Sequence, residues 1–267
     1  MLPYRGSRIM IQRPVGGHHR KVRKSGIPGR YLVGIPLRIG ATPTVSTHIL
    51  GGAWRGRRLA VPALPASKPT TGQVREAIFS MLTAGRPAGR PDIVPNARVL
   101  DLFACSGALG LEALSRGAAT AVMVESHPLA IQTIRHNVAH CAATDRCVVL
   151  CADALRPATY QTALQRAVRP ARHLPEDPSI RMAWYPFDLV LLDPPYRCGG
   201  VPAVLTQLER AGILQPGAIV VAEHEADLAD VTGTIPWSIM KQRRYGDTAV
   251  TLWQWSPEQD PEQNTEG

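Results

Sequence analysis

The chain has 267 residues, 45% of them apolar, and a formal net charge of +9. That length suits one large α/β domain with a small appendage, and no run approaches the roughly 18 apolar residues of a spanning helix, which excludes a helical membrane protein. Five cysteines, Cys105, Cys141, Cys147, Cys151 and Cys198, are odd in number and contain no Cys-x-x-Cys pair, which argues for reduced thiols in a cytoplasmic setting.

The charge is unevenly placed. Residues 1–46 hold nine basic side chains and no acid, residues 47–98 hold eight basic and two acidic, and residues 99–267 hold thirteen basic and nineteen acidic. A basic front on a mildly acidic body fits a nucleic-acid surface without choosing RNA over DNA. Residues 1–46 lack any helical or strand period and read as a disordered basic extension. They have no apolar core of a secretory signal. Three readings stay open for them: a tail on RNA phosphates, an organellar transit peptide, or sequence upstream of the real start.

Residues 47–61, THILGGAWRGRRLAV, read as a β-hairpin with a basic tip. Trp54 among Arg55, Arg57 and Arg58 suits base stacking plus phosphate contact, against the plainer reading of a solvated turn. Residues 68–83 read as a loop entering a helix, with Thr70 and Gln73 as a capping box and Val74, Ile78, Met81 and Leu82 on the buried face. Arg75 and Glu76 fall on the other side, open to ligand or solvent. A Gly/Pro linker at 85–95 divides an appendage, 47–95, from a core, 96–256, and residues 257–267 read as a disordered tail.

The core opens with a strand at 98–103 that carries Asp101 near its end, followed by ACSGALGLEALSRG. Cys105, Gly107 and Gly110 occupy the three places of a G-x-G-x-x-G pattern, and the helix that follows ends at Gly117. The next strand, 119–124, ends in Glu125, 20 residues after Cys105. Strand, glycine turn, helix, strand and acid form the arrangement of nucleoside-cofactor sites, in which the acid binds ribose hydroxyls. Pro128 starts a helix whose buried face holds Ala130, Ile134, Val138 and Cys141. A third strand, 147–152, leads to Asp153, which is either an acceptor for an adenine amino group or a helix N-cap. His127, His136 and His140 read as helix-surface residues. Cys147 and Cys151 with His140 read as buried core cysteines rather than a metal site, so no metal is expected.

Residues 156–186 form a long excursion, with a helix read at 159–168, that acts as a lid or is disordered. Then comes FDLVLLDPPY, 187–196. Its near-continuous apolar run is that of a central parallel strand. Asp193 and two prolines that donate no N–H force a stiff, extended exit carrying Tyr196. The Asp193 carboxylate and the Pro194 carbonyl together accept both N–H bonds of an aromatic amine, and Tyr196 stacks on its ring, worth about 1–3 kcal/mol. A helix at 201–211, a strand at 218–223, and an antiparallel pair, 237–242 and 249–255, around residues 243–248 complete the chain.

Together, ILGGAWRGRRL, KPTTGQVREAIF, DLFACSGALGLEALSRGA and LLDPPY resemble the class I methyltransferases that use S-adenosylmethionine, and among them the RsmD-type enzymes that methylate guanine N2 in 16S ribosomal RNA. The likeness covers residues 47–255. It implies a Rossmann-like α/β fold: a seven-stranded, mostly parallel sheet with its last strand antiparallel, helices on both faces, and a small N-terminal hairpin and helix. It implies that the methionine end of the cofactor lies along Asp101, Ala104, Cys105, Ser106 and Gly107, with its ribose on Glu125 and its adenine near Asp153. Thr71 and Arg75 help hold its carboxylate, and the target base sits at Asp193, Pro194 and Tyr196. Trp54, Arg55, Arg57, Arg58, Arg244 and Tyr245 are the candidate RNA contacts. The expected partner is 16S rRNA, in the 30S subunit or an assembly intermediate, met by a monomer without metal or membrane. Asp-Pro-Pro-Tyr is shared with adenine-N6 methyltransferases of DNA, which remain the enzyme alternative. A non-catalytic RNA-binding or assembly factor is the other, because the family's turn has Gly where this chain has Cys105. If that position takes φ > 0, a side chain there costs on the order of 1 kcal/mol.

Overall fold

The computed structural model describes residues 46–64, 71–83, 92–160, 184, 186–195, 200–227 and 236–257, all within one compact unit, Thr42–Gly267. In chain order the elements are β1 (Ser46–His48), β2 (Arg58–Ala60), α1 (Gly72–Thr83), β3 (Arg98–Leu102), α2 (Ala108–Ser115), β4 (Thr120–Glu125), α3 (Pro128–His140), β5 (Cys147–Cys151), β6 (Phe187–Leu192), α4 (Gly200–Ala211), β7 (Leu214–Glu225), β8 (Trp237–Tyr245) and β9 (Thr248–Trp255).

Seven strands form one sheet in the order β5-β4-β3-β6-β7-β9-β8, with β9 antiparallel to both its neighbours and the other pairings parallel. The apolar run 187–192 is the middle strand, β6, as its lack of polar alternation requires of a strand covered on both faces. Successive residues feed two cores. Val99, Leu189, Leu191 and Val221 pack beneath α1, α2 and α3 with Ile78, Leu111 and Ile134. Leu100, Val190, Leu192 and Val220 pack on the other face with Val204 and Leu208 of α4 and with Trp253. Each such aliphatic side chain contributes about 1.5–3 kcal/mol of burial. This is the class I methyltransferase fold.

β1 and β2 pair outside this sheet, with Thr47 opposite Leu59. Three buried polar side chains seat this hairpin on the helices. Glu112 of α2 accepts from Leu50 N (2.7 Å) and Gly51 N (2.8 Å). Ser115 accepts from Trp54 N (2.9 Å) and donates to Gly51 O (2.6 Å). Asn137 of α3 pairs with both the N–H and the carbonyl of Ala60.

Three local readings change. The N-cap of α1 is Thr71, whose Oγ1 accepts from Val74 N at 3.3 Å, whereas Thr70 lies outside the described residues. Arg75 is not on the solvent side of α1. It is 1% exposed, and its Nη2 donates to Thr47 Oγ1 (3.0 Å) and His48 O (2.7 Å). The C-terminal connection is shorter than read, since Arg243, Arg244 and Tyr245 belong to β8 and only Gly246 and Asp247 turn. The linker at 85–91, most of the 156–186 excursion and the tail from 258 lie outside the described residues.

Candidate active site and nucleic-acid surface

The C-terminal ends of β3, β4, β5 and β6 converge, which is where open α/β sheets bind ligands. Leu102 pairs with Leu192, so Phe103 and Asp193 leave the sheet side by side. Asp193 is half-buried, Pro194 is buried, and Tyr196 lies outside the described residues.

Between β3 and α2 the chain makes a tight turn with left-handed backbone at Phe103 (φ 61), Cys105 (φ 52) and Gly107 (φ 74). The position that departs from glycine therefore has positive φ, and Cys105 carries a strain of about 1 kcal/mol. Bonds from Ala104 N to Val124 O (3.1 Å) and from Gly107 N to Ala104 O (2.6 Å) close the turn. A bond from Asn137 Nδ2 to Ser106 O (2.9 Å) adds a side-chain clasp. Burial, reinforced by the charges of Glu125, Asp193 and Asp101, pushes the Cys105 thiol up to about 12, so it stays neutral and is no nucleophile.

Glu125 ends β4 and is bound from below. Its Oε2 accepts from Cys105 N (2.9 Å), and its Oε1 accepts from Ser126 N and His127 N (both 2.8 Å). Ser126 Oγ adds a 3.4 Å contact to Oε1, so it is Oε2, with a single donor, that keeps an acceptor site for a ligand hydroxyl. Asp153 behaves first as the cap that one reading gave it: Oδ1 accepts from Leu155 N at 2.9 Å. Its Oδ2 faces only the exposed Arg156 guanidinium at 3.4 Å, and the side chain is 43% exposed.

Asp101 is wholly buried. Its Oδ2 accepts from Gly110 N (2.9 Å) and so caps α2 across the turn, while Oδ1 has no hydrogen-bond partner. Burial pushes its carboxyl up to about 8, opposed by the Gly110 N–H and reinforced by the charges of Asp193 and Glu125. A buried orphan oxygen beside such a turn suits a cationic amine.

The basic hairpin tip lies toward the other end of α2. Trp54 is partly buried against the core, with the guanidiniums of Arg57 (5.8 Å) and Arg146 (5.2 Å) over its ring. Arg57 Nη1 also donates to His140 O at 3.2 Å, and Arg55 and Arg58 are exposed. Arg146 was not legible as part of this group, because a lone Arg before a strand gives no signal of its own. Arg244 is exposed, with its Nε on Gly246 O (2.9 Å) and its Nη2 3.5 Å from Asp227, and Tyr245 packs half-buried on the first core. Both stand at the crevice end of the sheet, since Thr248 pairs with Glu225 at the end of β7. Thr71 is exposed at the start of α1, whereas Arg75 sits in the joint between α1, the hairpin and α2, with its Nε 3.9 Å from Glu112 Oε2.

Two cysteine readings also resolve. Cys147 is half-buried and Cys151 exposed, so they are not deep-core thiols. Four residues apart on one strand, they lie about 13 Å from each other and cannot share a metal ion. His127, His136 and His140 are exposed, as expected, and His127 caps α3 through Leu129 N. No helix among the described residues is long and apolar enough to cross a membrane.

A family model described as conserved hypothetical protein 95 matches residues 47–169 and 176–254. "Ribosomal RNA small subunit methyltransferase D" of Escherichia coli (strain K12) is 32% identical over 207 residues, covering 78% of this chain and 89% of the relative. "Putative rRNA methyltransferase YlbH" of Bacillus subtilis (strain 168) is 30% identical over 208 residues, covering 77% and 97%. Among solved structures, the putative methyltransferase yhhF from Escherichia coli matches with a TM-score of 0.61 at 30% identity, covering 79% of this chain and 99% of that one.

Proposed function

We propose, from the premise that the chain belongs to the conserved hypothetical protein 95 family, that it methylates the exocyclic N2 amino group of a guanine in 16S ribosomal RNA. The observation that carries this reading is the pairing of Leu102 with Leu192, which sets the Asp193-Pro194 exit beside the turn at 103–107. S-adenosylmethionine supplies the methyl group, bonded to a sulfonium that leaves as a neutral thioether. The donor set fits that cofactor. The partnerless Asp101 Oδ1 suits its ammonium, Glu125 its ribose hydroxyls, and the exposed Asp153 Oδ2 its adenine amine. Ala104, Cys105, Ser106 and Gly107 line its methionine end, and Thr71 and Arg75 serve by seating α1 and the hairpin.

The amine is a weak nucleophile because its lone pair is delocalised into the ring. Asp193 and the Pro194 carbonyl hold its two N–H bonds and turn the lone pair outward, and Tyr196 fixes the plane of the base. As the new N–C bond forms, the nitrogen becomes acidic and its proton leaves through Asp193 to water. Rate enhancement is therefore mainly positioning, worth up to roughly 7–11 kcal/mol when the geometry is correct. The base must be splayed from its stack to enter. Arg55, Arg57, Arg58 and Arg244 take RNA phosphates, with Trp54 and Tyr245 as their supports. The protein acts as a monomer in the cytoplasm, on the small subunit or its assembly intermediate.

The test is incubation of the purified protein with methyl-labelled cofactor and either 30S subunits from a strain lacking the gene, free 16S rRNA, or duplex DNA. Label recovered as N2-methylguanosine from one rRNA position supports the reading. Label on DNA alone, or none with intact cofactor binding, refutes it.

A further inference from the structure

Asn137 is 0% exposed and lies on α3, yet neither of its two polar groups serves that helix. Its Oδ1 accepts from Ala60 N (2.9 Å), and its Nδ2 donates both to Ala60 O (2.8 Å) and to Ser106 O (2.9 Å). Both amide hydrogens are thus committed, and a flipped amide would set its oxygen against two carbonyls, so the orientation is fixed. Ala60 is the last residue of the hairpin strand β2, and Ser106 lies between Cys105 (φ 52) and Gly107 (φ 74) in the turn. A peptide flanked by two left-handed residues has no helix or strand ladder to hold its carbonyl. Its direction depends on a partner from elsewhere.

We propose that Asn137 is a positioning residue that holds the cofactor turn and the hairpin in one mutually dependent arrangement. The proposal rests on the reading of residues 104–107 as the cofactor turn. The rest of the hairpin is anchored separately, by Glu112 on Leu50 and Gly51 and by Ser115 on Gly51 and Trp54. Only Asn137 reaches both the hairpin and the turn with one side chain among the hydrogen bonds described. By reciprocity, a ligand that stiffens the turn also tightens the seat of Ala60, and a hairpin held by RNA tightens the turn.

The test compares Asn137→Asp and Asn137→Ser with Ser115→Ala, which removes hairpin anchors without touching the turn. Amide hydrogen exchange is read on the ligand-free proteins, and S-adenosylhomocysteine affinity is read by calorimetry. Both Asn137 variants are expected to speed exchange at 104–107 at least tenfold and to weaken the nucleoside about tenfold. Ser115→Ala is expected to speed exchange only near 51–55 and to leave affinity within twofold. In the wild-type protein, S-adenosylhomocysteine is expected to slow exchange at the Ala60 amide, a readout that needs no variant to fold. Asn137 variants with turn exchange and affinity within twofold of wild type, or a bound wild-type protein with Ala60 unchanged, overturn the proposal. A wild-type protein that fails to bind the nucleoside overturns the proposed function instead, and the ligand-free exchange still decides whether Asn137 holds the turn.

Discussion

Glu112 is the perturbation that separates the seat of the hairpin from the turn at 103–107. Its carboxylate is fully buried, accepts from Leu50 N, Gly51 N and Arg116 Nε at 2.7–2.8 Å, and lies 3.9 Å from Arg75 Nε. Replacing it by alanine strands two backbone N–H groups and removes the carboxylate that acts most strongly on the buried Arg75. Removing one partner of a buried ion pair costs about 3–5 kcal/mol, out of a total stability of roughly 5–15. At about 2–4 °C per kcal/mol for a domain of this size, the melting temperature should fall by roughly 10 °C. Glu112→Gln keeps the shape but offers one acceptor oxygen and turns an amide donor toward a donor, so an intermediate loss is expected. Urea unfolding gives the global term, and hydrogen exchange should show Leu50 and Gly51 deprotected. S-adenosylhomocysteine affinity should fall less than in the Asn137 variants, because Ser106 is held by Asn137 and not by Glu112. A Glu112→Ala protein losing less than about 1 kcal/mol, with Leu50 and Gly51 still protected, would refute the view that this carboxylate seats the hairpin.

Asp193→Ala should abolish methyl transfer while leaving S-adenosylhomocysteine affinity nearly unchanged; transfer within threefold of wild type rules out its assigned role. Cys105→Gly should preserve cofactor affinity, whereas Cys105→Val, β-branched at φ 52, should lose 2 kcal/mol or so of stability and weaken the cofactor, as thermal melts and calorimetry would show. Arg146→Ala should weaken RNA binding uniformly across sequences and reduce the slope of log affinity against log salt by about 1, as filter binding across a salt series would show. An unchanged slope would remove Arg146 from the phosphate surface. Asp101, with its carboxyl pushed up to about 8 in the fold and an ordinary value near 3.9 when unfolded, binds its proton more tightly in the native state. Stability should therefore fall as pH rises from about 4 to about 8, by at most about 1.4 kcal/mol per pH unit, relative to Asp101→Asn, and parallel pH profiles for the two proteins would contradict this.

What the sequence made legible is what local chemistry dictates. A six-residue strand with five apolar residues, ending in Asp-Pro-Pro, has one natural place, the middle of a parallel sheet, and β6 is the fourth of seven strands. The spacing from Cys105 placed Glu125 at the end of β4 against the turn, and the positive φ at Cys105 meets the steric condition stated for a side chain there. Arg75 was misplaced for a physical reason. Helical periodicity assigns a charged residue to solvent, and only a partner from another element, here Glu112 of α2, together with Thr47 and His48 of the hairpin, makes its burial affordable. Glu112, Ser115 and Asn137 were silent for the same reason. Each reads as an ordinary polar helix residue until the hairpin is folded onto it from 60 to 80 positions away in the chain.

The placement of the arginines constrains how an RNA could engage this surface under the proposed reading. The hairpin tip is bonded to Ser115, the last residue of α2, whereas the turn lies at its first. At 1.5 Å per residue the helix alone separates them by about 10 Å. Arg244, in contrast, stands at the crevice end beside the end of β7. The two basic groups thus stand at different ends of the face, one at the C-terminal end of α2 and one at the end of β8. Their contribution is to hold a strand whose intervening base can leave its stack, so substitutions at the tip should act on RNA affinity and leave the rate at saturating RNA nearly intact. On that reading the rate belongs to Asp193 and the turn at 103–107, to which Asn137 ties the hairpin through Ala60 and Ser106.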